Sequence, residues 1–167
     1  MVRFGFSVAL TLVGSACLAQ EHDLVPADQA GMEQCLQSAY ERGARPEVCI
    51  GFVYNPCAET VEGQTTVGMI GCVDREHGFW DRLLNQSYRR LGNTRDEGEE
   101  EALRDLQRQW LAWRDARCDW EASLYEGGTL ARVVANQYFT EETARRAIDL
   151  TEAILEDGDN YRLEESE

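Results

Sequence analysis

A chain of 167 residues with 31 acidic side chains against 16 basic ones carries a formal charge of −15 at pH 7, and every basic residue is an arginine. A field of that sign repels nucleic acid and anionic membrane surfaces and draws cationic partners, although solubility alone is the plainer reading of it. The length suits one domain with a buried core.

The first residues have the layout of a signal peptide. Met1–Arg3 carries one positive charge, FGFSVALTLVG is apolar, and SACLAQ offers small residues for cleavage after Ala19. Residues 1–19 are therefore assigned to export and the mature chain to the periplasm or the exterior. The rival is a lipoprotein cut before Cys17, but Gly14 stands where a large aliphatic residue is usual. No other stretch is long and apolar enough to span a membrane. Cleavage removes Cys17 and leaves Cys35, Cys49, Cys57, Cys72 and Cys118. In an oxidising compartment these form disulfides, and an odd count leaves one over.

Residues 20–28 read as a loose leader. Met32, Leu36, Ala39 and Tyr40 predict a helix over 29–42, ended by Gly43. Pro46 suits a first helical turn and Pro56 stops the segment. CAETVEGQTT is a loop. Val73, Trp80, Leu84 and Leu91 predict a helix over 66–91, with Tyr88 beside the stripe, and Gly92-Asn93 breaks it. Thr94 followed by Glu97 is a capping-box signature for a helix over 95–126, closed by the glycines at 127 and 128. A short helix over 129–137 and a last one over 140–155 follow, the latter opened by Thr140, Glu141 and Glu142. Residues 156–167 are an acidic tail. Strand alternation and internal repeats are lacking. The fold class is all-α: a small disulfide-stapled bundle built on a long antiparallel helix hairpin, preceded by a helical extension over 20–56.

QRQWLAWRDARCDW, residues 107–120, is the densest stretch. From Leu103, the residues Leu106, Trp110, Trp113, Trp120 and Leu124 recur at spacings of three and four, with Arg117 in the remaining slot. Such a seam predicts that the tryptophans are mainly core; a sugar-stacking platform would need exposed rings. Arg114 shares a neighbouring face with Gln107, Leu111 and Cys118. Folding a hairpin about residue 93 sets Arg114 opposite residue 73, within a turn of Asp74, Glu76 and His77. A half-buried guanidinium needs a carboxylate, and Glu76 or Asp74 is expected to supply it.

The ordered pattern C-x3-E-x4-D-x2-LN-x2-Y runs through Cys72, Glu76, Asp81, Leu84, Asn85 and Tyr88. It continues as Q-x2-W-x2-W-R-D-x2-C through Gln107, Trp110, Trp113, Arg114, Asp115 and Cys118, then GGT at 127–129 and T-x4-R from Thr140 to Arg145. Over residues 57–155 this resembles the N-terminal helical domain of the LprI-like lysozyme-inhibitor family. The resemblance implies an exported, cysteine-stapled helical domain that inhibits lysozyme. Glu76, Asp81, Asn85, Tyr88, Gln107, Trp110, Arg114, Asp115 and Cys118 are its motif residues here, and a structural role is expected for them. Where the family pattern has a further cysteine this chain has Tyr138. Against that pattern the expected bridges are Cys35–Cys49 and Cys57–Cys72, with Cys118 buried and unpaired; Cys72–Cys118 is the rival.

No catalytic, metal or cofactor signature stands out. His22 and His77 are far apart, and HExxH, CxxC and G-x-S-x-G are lacking. Glu97–Glu101 reads as a solvated helix face. The expected function is that of an exported acidic binding protein, not an enzyme. Its expected partner is lysozyme or another cationic wall hydrolase, a class of enzyme with carboxylates in its groove. The Glu126–Thr129 turn and the 92–98 loop are the expected contact places. The alternative is a periplasmic structural or interaction module that does not inhibit lysozyme.

Overall fold

The computed structural model describes residues 25–126 and 128–158, so the signal segment and most of the acidic tail lie outside the described residues. Five α-helices follow in order: α1 Pro26–Glu41, α2 Tyr54–Ala58, α3 Thr66–Asn93, α4 Glu97–Ser123 and α5 Thr129–Glu156, with a 3₁₀ turn at Pro46–Cys49. Among the described residues there is no strand, and the fold is an all-α, disulfide-stapled bundle.

The helix starts are set by local chemistry. Pro26 opens α1, where its missing N–H costs nothing, so residues 26–28, expected in a loose leader, belong to the helix. Thr65 caps α3 by accepting from the Gly68 N–H at 2.9 Å. The capping box of α4 is two residues later than Thr94 and Glu97 suggested. Asp96 accepts from the Glu99 N–H at 2.9 Å, and the Glu99 carboxylate accepts from the Asp96 N–H at 3.3 Å. Thr94 instead finishes α3, its hydroxyl donating to the Leu91 carbonyl at 2.9 Å. The two helices expected over 129–137 and 140–155 are one continuous helix. No glycine or proline interrupts 129–156, and burial of Phe139 and Thr140 holds the junction in the helix.

The hydrophobic core is formed mainly between α3 and α5, which pack along most of their lengths. Phe79, Trp80, Leu83, Leu84 and Leu91 of α3 meet Ala144, Ala147, Ile148, Leu150 and Ile154 of α5. The alanines permit close approach, and Ser87 and Thr151 share a buried hydrogen bond of 2.9 Å across the contact. Met32 and Leu36 of α1 enter the same core with Cys49 and Val53, so the 20–56 segment is packed into the bundle. Cys35–Cys49 ties α1 to the 3₁₀ turn and Cys57–Cys72 ties α2 to α3. Asp28 accepts from both Nε and Nη2 of Arg75 at 2.7–2.9 Å, a further link from α1 to α3. Helix α4 packs on α5 and touches α3 little, although α3 and α4 are consecutive.

Candidate functional site

Glu76 does not meet Arg114. It lies 1 % exposed in α3 and gathers the chain between the 3₁₀ turn and α2. One oxygen accepts from the Gly51 N–H at 2.6 Å and from the Trp80 indole at 3.0 Å. The other accepts from the Val53 and Tyr54 N–H groups at 3.0 and 2.8 Å. Both oxygens are thus engaged. Above this carboxylate a groove of ≈ 340 Å³ opens between Ile50–Asn55 and Gln137–Glu141. Its buried acid is committed to holding backbone and is not poised for chemistry.

The carboxylate beside Arg114 belongs to its neighbour in sequence. Asp115 accepts from Nε and Nη2 of Arg114 at 3.1 and 3.0 Å. The guanidinium carbon also sits 3.9 Å from the Phe139 ring centroid and 5.0 Å from that of Trp110. Aromatic faces therefore supply much of the compensation that had been assigned to a carboxylate of α3. Helices α3 and α4 do not pack as a pair; α5 takes the contact instead. His77 completes the stack, its ring 5.1 Å from Phe139. Burial first, and then the Arg114 charge, lower its pKa from 6.5 to about 4.

The other motif residues also make structural contacts. Asn85 donates to Asp81 at 3.0 Å, Tyr88 packs on the core, and Gln107 accepts from Arg146 at 3.0 Å. Cys118 is buried, with its sulfur 3.2 Å from the Ala135 carbonyl. The expectation that Cys118 is unpaired is overturned: it is disulfide-bonded and no described cysteine is free. Its partner lies outside the described residues.

The tryptophan seam is the largest correction. Trp113 and Trp120 are 51 % and 50 % exposed, Leu106 and Leu124 are 52 % and 56 % exposed, and Trp110 is only partly buried. The face of α4 that is buried carries Gln107, Cys118 and Glu121, with Arg114 nearly covered. That face has its own three-and-four spacing, and its cysteine belongs to the most buried of residue types; this was the available signal. Apolar content alone favoured the wrong one of two adjacent faces.

The exposed face is held in place from the side. Arg117 pairs with Glu121 at 2.8 Å, donates to the Tyr138 hydroxyl at 2.9 Å, and lies 4.6 Å from the Trp120 ring centroid. Tyr138 thus clamps α5 to α4 through Arg117. Tyr125 and Leu130 are also exposed, and Glu126 adopts φ 48°. The 92–98 loop is tied down differently, by Arg95 to Asp157 at 2.6 Å. Among the described residues no His, Cys, Asp and Glu group is placed to hold a metal ion, and no helix is long and apolar enough to cross a membrane.

The chain is an acidic, disulfide-stapled helical bundle with large aromatic side chains exposed along one helix. The family described as "Lysozyme inhibitor LprI" matches residues 57–150, more than half of the chain, and the protein belongs to that family. It is also similar to the uncharacterized protein R02472 of Rhizobium meliloti (strain 1021), 28 % identical over 102 residues, covering 53 % of this chain and 73 % of the relative. No solved structure matches the chain.

Proposed function

We propose that this protein is an exported acidic binding protein that inhibits lysozyme or a related cationic wall hydrolase by covering its groove. The observation that carries this reading is the family match over residues 57–150. The charge of −15 supports it, because a basic enzyme is steered towards such a surface. The Cys35–Cys49 and Cys57–Cys72 disulfides suit an oxidising compartment and release to the periplasm or exterior. In this reading residues 57–155 form the inhibitor domain. Glu76, Asp81, Asn85, Tyr88, Gln107, Trp110, Arg114, Asp115 and Cys118 hold its fold, and contact is made elsewhere.

The test is clearing of cell-wall suspensions by a basic lysozyme in the presence of the oxidised protein. Equimolar protein is expected to slow clearing, and added salt to weaken the effect. Undiminished clearing at low salt and micromolar excess would remove lysozyme as the target.

A further inference from the structure

We propose that the exposed face of α4 bearing Leu106, Trp113, Trp120 and Leu124 is the surface that docks the cationic hydrolase. The inference rests on the function proposed above and adds the place of contact.

Four large apolar side chains, each at least half exposed, follow one line along α4. The two tryptophans are seven residues apart, so they stand ~10 Å from one another on the same side of the helix. Exposed apolar side chains scattered singly are ordinary, but a contiguous patch marks an interaction site. Its composition is that of a binding hot spot, where tryptophan, tyrosine and arginine dominate. The patch is also preorganised. Arg117 is fixed between Glu121, Tyr138 and the Trp120 ring. Beneath it, Trp110, Arg114 and Phe139 stack α4 onto α5. Little side-chain freedom is then left to lose on binding.

Charge decides the occupant. Exposed Glu101, Asp105 and Asp119 lie on the solvent side of the same helix, about 100° round from the patch, with Asp105 paired to Arg108 at 3.2 Å. A second copy of this chain would bring the same acids and a charge of −15 to meet them. A basic protein with an apolar rim to its groove satisfies both the tryptophans and the acids.

The experiment measures affinity of the oxidised protein for a basic lysozyme by calorimetry at low salt, with helicity of each variant checked by circular dichroism. Trp113→Ala with Trp120→Ala is expected to weaken binding about 100-fold and to abolish inhibition at equimolar protein. Asp105→Asn with Asp119→Asn is expected to flatten the salt dependence. Val61→Ala with Val67→Ala, at apolar positions 82 % and 81 % exposed away from α4, is expected to leave affinity unchanged. If the wild type binds and inhibits while the tryptophan variant does so equally well, this docking face is wrong and the function stands. If the wild type does not bind, the function fails and takes this occupant with it. If the wild type binds soluble wall glycan through Trp113 and Trp120 but not lysozyme, the face is a sugar platform and the proposal is overturned.

Discussion

Glu76 accepts a hydrogen bond from the indole of Trp80, one turn further along α3, at 3.0 Å. The same carboxylate takes three backbone N–H groups from residues 51–54. A single side chain therefore orients the largest core residue and anchors the segment between α1 and α3. In Glu76→Gln one oxygen becomes an NH₂ group and faces N–H donors. Each buried donor left without an acceptor costs about 1–3 kcal/mol, so a loss of about 3 kcal/mol is expected. Urea unfolding checks it; a change below about 1 kcal/mol contradicts this account.

The stack on Arg114 requires a flat cation. Lysine keeps the charge but cannot lie against Phe139 and Trp110 together while meeting Asp115. Arg114→Lys is expected to lower stability by about 1–2 kcal/mol. A double-mutant cycle with Phe139→Leu should return a coupling of about 0.5–1 kcal/mol or more, and zero coupling would show that the ring contact contributes nothing.

His77 gives acid sensitivity of defined sign. Its folded pKa of about 4 lies below the ordinary 6.5, so between those values the unfolded chain binds a proton that the folded chain refuses. Stability is lost as pH falls from about 6.5 to about 4, reaching about 3 kcal/mol if the whole shift acts. His77→Phe removes the titration and also the buried Nδ1, which finds no hydrogen-bond partner among the described residues. The difference in stability between wild type and this variant should therefore change in favour of the variant over that window. A constant difference from pH 7 to pH 4 rules this out.

Gly68 sets helix propensity against close packing. Alanine in the first turn of α3 would gain about 1 kcal/mol as a helix former. Its Cβ, however, would overlap the Glu62 carbonyl oxygen. Overpacking against backbone costs about 1–3 kcal/mol, so Gly68→Ala is expected to destabilise. A raised melting temperature would mean that the 59–65 loop moves freely.

The two bridges close loops of 14 and 15 residues. Loops of that size contribute about 3 kcal/mol each. Non-reducing peptide mass mapping should return Cys35–Cys49 and Cys57–Cys72. Replacing either pair by alanines should lower the melting temperature markedly, and a Cys72–Cys118 peptide would contradict the arrangement.

Helix content and limits were legible in the chain because capping, glycine and proline act within a few residues. The starts of α3 at Thr66 and of α5 at Thr129 depend on nothing distant, whereas α1 opens at Pro26, inside the stretch read as a leader. Asp96 defeated the choice of Thr94 only because two such boxes overlap by two residues. The family, too, was readable, since it rests on ordered residue types from Cys72 to Arg145. Which face of α4 is buried was decided by tertiary structure. Periodicity shows that Leu106, Trp113, Trp120 and Leu124 share a side, but a helix has no inside until another helix lies against it. Helix α5 packed on Gln107, Arg114, Cys118 and Glu121, because Phe139, Thr143 and Arg146 could satisfy their polar groups there. The tryptophans were left facing outward, and so the stretch that marks the family also supplies the protein's most conspicuous exposed surface.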